Sequence, residues 1–220
     1  MATSDLQGSL FDLEPEPFDV GPDLPDAGAK KPDLAAVTTT SPVRRAEPPT
    51  GAPVVAATDG SCHPNPGPAA GAWYVGPHCW GVAPVTGLGT NNIGELSAIR
   101  ALLEAVPAEH PLEIVFDSTY ARDCLTVWIK AWSRGGTLPP SAWTRGPKRE
   151  PVKNAELIAD TAALLVGRTV IWTKAKAHVA VSVGGHALNH EADRLAGDAV
   201  ASLRAGTPVA LGPGWTRWTA

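Results

Sequence analysis

The stretch Thr58–Pro68, with the sequence TDGSCHPNPGP, is the point from which the fold of this chain can be worked out. A short apolar run, Val54–Ala57, directly precedes this stretch, and Asp59 and Gly60 are the second and third residues of the stretch. A buried strand that ends in Asp and turns at once on Gly would hold the carboxylate at a sheet edge. An isolated Asp-Gly pair is more often an ordinary turn. The role of Asp59 therefore depends on what the rest of the chain places beside it.

The apolar periodicity after this stretch alternates between strands and helices. Two short apolar runs joined by a Gly-Pro turn predict a hairpin, and Asn92 followed by Glu95 has the spacing of a capping box that begins a helix. The predicted strands are 54–59, 71–75, 78–86, 112–116 and 169–173, and the predicted helices are 92–106, 118–128, 154–165 (capped by Asn154) and 189–203 (capped by Asn189). This order predicts an α/β fold, a mixed five-stranded sheet with helices on both faces.

Charge and proline content divide the chain into three parts. Residues 1–53 hold nine Asp or Glu against four Lys or Arg, with nine Pro and few apolar residues, which predicts a disordered acidic tail. Residues 54–220 hold thirteen acidic and fourteen basic residues, and seven of the basic ones fall between Arg122 and Lys153. We expect a folded domain over 54–204 with a basic patch for an anionic partner, and a C-terminal tail over 205–220.

The compartment is predicted from what the sequence lacks. No apolar run is long enough for a membrane span, and Met1–Asp5 shows no secretory signal. The three cysteines, Cys62, Cys79 and Cys124, are widely spaced and follow no metal-ligand pattern. These features predict unpaired thiols and a cytoplasmic protein, and we expect it to be a monomer.

Four carboxylates stand where predicted elements begin or end: Asp59, Glu95, Asp117 and Asp193. Each has an ordinary alternative, in a turn, a capping box, a helix cap or a helix dipole. If all four converge, their repulsion requires cations, and a set of oxygen ligands favours Mg²⁺ or Mn²⁺ over Zn²⁺. Two such ions would suit the displacement at a phosphodiester.

The order of motifs resembles type 1 ribonuclease H, of the bacterial ribonuclease HI kind. The matching stretches run from about residue 54 to 204 and are Thr58–Cys62, Asn65–Pro68, Thr90–Asn92, Glu95–Leu96, Asp117–Ser118, Tyr120, Trp128–Ile129, Trp132, Pro151–Asn154, Lys176–His178, Asn189–Asp193 and Leu195–Ala196. The resemblance implies an endonuclease that hydrolyses the RNA strand of RNA–DNA hybrids with two Mg²⁺ ions, leaving 5′-phosphate and 3′-hydroxyl ends.

The resemblance also implies roles for individual residues. The four carboxylates match the family's metal ligands, and His178 matches a histidine that shuttles protons or assists product release. The loop from His178 to Asp193 is longer than in the best-known bacterial enzymes and carries His186, so either histidine could take this role. The implied substrate contacts are Asn65, Asn91 and Asn92 to the hybrid backbone and RNA 2′-hydroxyls, Asn154 to the backbone, and Trp128, Lys130, Trp132, Arg134, Lys148, Arg149 and Lys153 to the DNA strand.

Two other functions are compatible with the same fold. A non-catalytic nucleic-acid-binding module would have lost a metal carboxylate, and all four are present. A nuclease that cuts DNA, such as a junction resolvase, is disfavoured by Asn65, Asn91 and Asn92. It is also disfavoured by the tryptophans that lie among the basic residues up to Lys153.

A short motif in the acidic tail suggests a further partner. Gln7–Phe11, with the sequence QGSLF, resembles the peptide by which bacterial replication and repair proteins bind the sliding clamp. An extended peptide could insert Leu10 and Phe11 into an apolar pocket, while the long linker would let the nuclease reach nucleic acid nearby.

Overall fold

The computed structural model describes residues 51–175 and 185–215. Its elements are β1 (Val54–Cys62), β2 (Ala69–Gly76), β3 (Cys79–Pro84), α1 (Asn91–Ala105), β4 (Leu112–Phe116), α2 (Thr119–Asp123), a π-helical turn (Cys124–Trp128), α3 (Ile129–Trp132), a 3₁₀ turn (Pro140–Ala142), β5 (Thr144–Arg145), β6 (Glu150–Pro151), α4 (Ala155–Ala163), β7 (Val170–Lys174) and α5 (Ala187–Ala205). The predicted order of strands and helices is confirmed, with the small β5–β6 hairpin in addition.

The main sheet has the strand order β3-β2-β1-β4-β7. β1 pairs with β2, and β2 with β3, in antiparallel fashion, whereas β1–β4 and β4–β7 are parallel. The predicted mixed five-stranded sheet is therefore confirmed. The prediction that β1 ends at Asp59 is wrong, because the strand continues to Cys62 and Asp59 lies opposite Ala72 within the ladder.

Helices cover both faces of the sheet, as the alternation along β1 shows. Ala56 packs in the cluster that holds Leu96, Ile99 and Leu102 of α1. The next residue, Ala57, packs in the cluster that holds Ala192 of α5. Because successive strand residues point to opposite faces, α1 and α5 lie on opposite sides of β1. No helix among residues 51–175 and 185–215 has the length and apolar character needed to cross a bilayer.

Two of the predicted helix starts are wrong. Thr90, not Asn92, caps α1, since its Oγ1 accepts a hydrogen bond from the Ile93 N–H at 3.3 Å. α5 begins at Ala187, so Asn189 lies inside the helix and is buried. Asn154 does occupy the position before α4, but at φ 59° its side chain makes no capping bond and donates instead to the Tyr120 hydroxyl at 3.4 Å.

The segment after α5 is held against the edge strand β3. The Val82 N–H donates to the Leu211 carbonyl, and the Gly214 N–H donates to the Trp80 carbonyl, each at 3.0 Å. The Trp215 ring then lies 5.5 Å from the ring of His110. Residues 206–215, which we call the C-terminal strap, therefore cover this edge of the sheet. The sequence had indicated only a tail here.

The three cysteines, Cys62, Cys79 and Cys124, are free thiols in the structure, and each is buried. This confirms the expectation that they form no disulfide framework.

Candidate active site

Three of the predicted carboxylates meet at the end of the parallel strands. One oxygen each of Asp59, Glu95 and Asp117 lies within 4.8 Å of the others. The pairing of Ala57 with Val115 explains two of the three, because Asp59 and Asp117 each follow two residues later on parallel neighbours. We call these three side chains the carboxylate cluster. Asp59 and Glu95 are only 5% and 7% exposed, while Asp117 is half-buried.

Glu95 reaches the cluster because α1 touches the backbone of the sheet. A Cβ added to Gly60 would lie 2.1 Å from the Glu95 nitrogen, and one added to Gly71 would lie 2.4 Å from the Ala98 nitrogen. From the helix side, a Cβ on Gly94 would lie 2.9 Å from the Ala70 carbonyl oxygen. The three glycines let the helix lie close enough for the Glu95 carboxylate to stand beside Asp59.

Asp193 adjoins the cluster from the opposite face of the sheet. It lies in the second turn of α5, is half-buried, and lines the same cleft as the other three carboxylates. Its charge helps to raise the pKa of Asp59. It is not one of the three residues whose oxygens lie mutually within 4.8 Å, but a side-chain hydrogen bond with Asp193 also raises the pKa of Asp59.

Burial and repulsion from neighbouring carboxylates raise the pKa of two members of the cluster, Asp59 and Glu95. Burial, then the charge of Asp117, raises the pKa of Asp59 to about 8, although the Gly60 N–H donates to its Oδ1 at 2.7 Å and lowers it. Burial and the charge of Asp59 raise the pKa of Glu95 well above its ordinary value. A divalent cation would offset the repulsion between the carboxylates of such a cluster. A set of ligands that are all oxygen atoms suits a hard ion. The residues present therefore fit the implied divalent metal.

The cluster opens into a cleft of about 820 Å³. Its lining residues are Asp59, Gly60, Ser61, Cys62, His63, Asn91, Asn92, Glu95, Asp117, Ser118, Thr119, Tyr120, Trp128, Lys174 and Asp193. Of the predicted substrate contacts, Asn91, Asn92 and Trp128 lie here. The shift of the helix cap to Thr90 places both asparagines in the first turn of α1, beside the carboxylates.

The remaining predicted contacts lie outside this cleft. Lys130, Arg134, Lys148, Arg149 and Lys153 lie on residues 130–153, which we call the basic segment, and all five are exposed. Asn65 is exposed on the loop after β1, and Asn154 is half-buried beside Tyr120.

Trp132 has a different position from the one expected for a substrate contact. It is 6% exposed, and its ring lies 5.8 Å from that of Trp128 and 6.4 Å from that of Trp143. Its indole therefore packs inside the protein and supports Trp128, which itself faces the cleft.

Only one of the two candidate histidines lies within the described residues. His178 lies outside the described residues. His186 stands at the position before α5, half-buried, and is not among the described residues that line the cleft.

Several residues of the site escaped sequence reasoning. Lys174 and His63 line the cleft, and Gly71 and Gly94 set the approach of α1. The glycines carried no local signal, because the neighbour that requires each of them comes from an element distant in sequence. Lys174 could have been found from its place directly after a predicted strand.

Comparison with known proteins agrees with this geometry. The family described as RNase H matches residues 51–201. Ribonuclease H of Tropheryma whipplei (strain Twist) is 36% identical over 168 residues, which cover 76% of this chain and 96% of the relative. Ribonuclease HI of Streptomyces coelicolor is 40% identical over 150 residues, 66% of this chain and 60% of the relative, and ribonuclease H of Bradyrhizobium sp. is 38% identical over 154 residues, 67% and 89%. The chain belongs to the ribonuclease H family and is an endoribonuclease.

Proposed function

We propose that the protein hydrolyses the RNA strand of RNA–DNA hybrids, with Asp59, Glu95, Asp117 and Asp193 as the ligands of two Mg²⁺ ions. The observation that carries the proposal is the carboxylate cluster, three oxygens within 4.8 Å at the floor of a cleft. Bound there, the two ions would activate the attacking water and stabilise the departing 3′ oxygen, leaving a 5′-phosphate and a 3′-hydroxyl. Mn²⁺ has the same ligand preference and could replace Mg²⁺.

The protein's own contribution is a preorganised set of ligands. The sheet fixes Asp59 and Asp117 in register, and the glycine contacts fix α1 and therefore Glu95. The Gly60 N–H donates to Asp59 Oδ1 at 2.7 Å and fixes the orientation of this carboxylate. Groups held rigidly before the reaction need no reorganisation during it, which is why a fixed cluster favours catalysis.

Recognition of RNA is assigned to the amides at the entrance of the cleft. Asn91 and Asn92 line the cleft next to Glu95, and Asn65 stands on the neighbouring loop. An amide can both donate and accept, as a 2′-hydroxyl does, so these side chains suit the group that distinguishes RNA from DNA.

The DNA strand is assigned to Trp128 and the basic segment. Trp128 offers an aromatic surface to sugars, and Lys130, Arg134, Lys148 and Arg149 offer cations to phosphates. Lys153 and Asn154 would extend this contact, while Trp132 holds Trp128 in place. This division explains why the cations lie apart from the metal ligands.

The function is tested with four labelled substrates. An RNA–DNA hybrid, single-stranded RNA, double-stranded RNA and duplex DNA are each incubated with Mg²⁺ and with EDTA. We expect cleavage of the hybrid's RNA strand alone, only with Mg²⁺, with 5′-phosphate ends. Cleavage of duplex DNA would favour the DNA-cutting alternative, and metal-dependent binding without cleavage would favour the non-catalytic module.

The proton-shuttle role is assigned to His178 or His186. Substituting each with Ala in turn should slow turnover at one position without abolishing it, because the metals carry most of the transition-state stabilisation. Single-turnover rates against pH separate the two. The position whose variant leaves the rate unchanged is not the shuttle.

Sliding-clamp binding by Gln7–Phe11 is a separate proposal, on residues outside the described part of the chain. A peptide of residues 1–20 should bind a bacterial sliding clamp with micromolar affinity. The same peptide with Leu10→Ala and Phe11→Ala is the control. Equal binding, or none by either peptide, would end the proposal, and the nuclease function would be unaffected.

A further inference from the structure

Lys174 is the last residue of β7 and stands beside the carboxylate cluster. It pairs with Phe116, the residue before Asp117, on the parallel neighbour β4. The Ala175 N–H donates to the Phe116 carbonyl at 2.8 Å, so the backbone beside Lys174 is fixed to the strand that leads into Asp117. The position of the lysine is thus set by the sheet, as that of Asp117 is.

Its side chain is a single cation in an acidic cleft. Lys174 lines the cleft together with all four carboxylates, and it is the only Lys or Arg among the described residues that do so. The side chain is exposed. The cations of the basic segment, by contrast, do not line the cleft.

The ammonium is nevertheless not neutralised by the carboxylates. Within the described part of the chain, Lys174 forms no ion pair within 4.0 Å with an acidic residue, whereas several arginines do, on other surfaces. The charges that act on Asp59 and Glu95 are those of other carboxylates. Lys174 therefore remains available for an anion that enters the cleft.

The anion that suits this place is a phosphate of the RNA strand. On the proposed function, the scissile phosphate lies at the carboxylate cluster, and its neighbours along the strand must pass the cleft walls. A lysine ammonium is a compact point charge with three donors and binds phosphate without requiring one fixed orientation. We propose that Lys174 binds a phosphate of the RNA strand adjacent to the scissile one, and thereby positions the strand over the metal ligands.

The proposal rests on the proposed function and is tested with three variants of the full chain. Lys174→Gln removes the charge, Lys174→Arg keeps it, and Arg204→Gln removes an exposed charge from the last turn of α5. Arg204 lies eleven residues beyond Asp193 on the same helix, about 16 Å along its axis. Steady-state cleavage of the hybrid and metal-free hybrid binding are measured against KCl concentration, with the melting temperature of each variant.

For Lys174→Gln we expect KM to rise about fivefold, with kcat within a factor of two, because the interaction is made equally in the ground and transition states. The slope of log affinity against log salt should fall by about 0.7 to 0.9, the value for one phosphate. Lys174→Arg should restore most of both. Arg204→Gln should match the wild type.

Three results would overturn the proposal. An unchanged KM and salt slope in Lys174→Gln would show that the lysine does not touch the substrate. A fall in kcat at constant KM would place it at the reacting centre instead. A changed melting temperature with an unchanged slope would make it a structural residue. If the wild type itself cleaves no hybrid, the proposed function fails, which is a different result from equality between wild type and variant.

Discussion

The carboxylate cluster and the basic segment differ in how their charged groups are held. Asp59 and Glu95 are 5% and 7% exposed, and each is fixed by contacts of strand or helix backbone. In the basic segment, Lys148 and Arg149 are exposed, on a hairpin whose strands have two residues each. The proposed metal ligands thus lie on rigid elements, and the cations proposed to attract the nucleic acid lie on exposed side chains that can adapt.

The backbone of the two regions shows the same contrast. Arg134 and Arg149 adopt positive φ angles of 48° and 54°, and the glycines at 135, 136 and 146 have no atom within 4 Å of an added Cβ. Around the cluster, by contrast, an added Cβ on Gly60 would meet backbone at 2.1 Å. The difference predicts that substitutions near the cluster have large effects and that those in the basic segment have graded ones.

The largest effect is expected from the cluster itself. Asp117→Asn removes the charge of one proposed metal ligand with little change in shape, and cleavage should fall by at least about a thousandfold while hybrid binding persists. Asp198→Asn, on an exposed position of α5 that pairs with Arg194, is the control and should retain activity. Activity of Asp117→Asn near that of the wild type in Mg²⁺ would refute the assignment of the cluster.

Packing around the cluster is tested with a matched pair of helix glycines. Gly94→Ala should destabilise the fold by about 1–3 kcal/mol, because its Cβ would lie 2.9 Å from the Ala70 carbonyl and 3.1 Å from Gly60 Cα. Gly197→Ala, in α5 with no atom within 4 Å, should stabilise by up to about 1 kcal/mol. Urea unfolding measures both. If both variants were stabilised alike, close approach of α1 would not be what places Glu95.

In the basic segment, a combined substitution should have a graded effect. Replacing Lys148, Arg149 and Lys153 with Ala removes three exposed cations. KM should rise while kcat stays unchanged, and the slope of log affinity against log salt should fall by about 0.7 to 0.9 for each phosphate that is no longer bound. An unchanged slope would mean that the segment does not bind the hybrid, and that the contrast with the cluster has another cause.

The last prediction concerns the pH dependence of stability. The pKa of Asp59 is raised to about 8 in the folded protein, above its ordinary 3.8, so the folded state binds more protons than the unfolded state between these values. Metal-free protein should therefore lose stability as pH rises from about 4 to about 8. The Tm should fall by on the order of 3 °C for each kcal/mol of unfolding free energy that is lost. Mg²⁺ should restore more of the Tm at about pH 8 than at about pH 5, and Asp59→Asn should flatten the metal-free profile. A Tm that rises across this range would contradict the burial of Asp59.

Much of this arrangement could be predicted because it is local. The order of strands and helices along the chain, the helix α1 and the carboxylates that follow apolar runs were predicted from periodicity and position, whereas the spatial order of the strands in the sheet was not. The cap of α1 was not, because Thr90 and Asn92 are both good capping residues and only the tertiary position of the helix decides between them. The burial of Trp132 could not be predicted either. A tryptophan between Lys130 and Arg134 gives the same sequence pattern whether its indole contacts a nucleic acid or packs against other indoles, as it does here.

The C-terminal strap has a consequence for how copies of this protein meet. An open edge strand offers a row of unpaired backbone groups, on which another sheet can grow. At β3 the Val82 N–H and the Trp80 carbonyl are already bonded to Leu211 and Gly214. The family match stops at residue 201, within α5, so a chain cut at that point would lack the strap. Such a shortened chain would keep the carboxylate cluster but leave backbone groups of the edge strand β3 unpaired. Its first failure would be self-association through β3 rather than loss of catalysis.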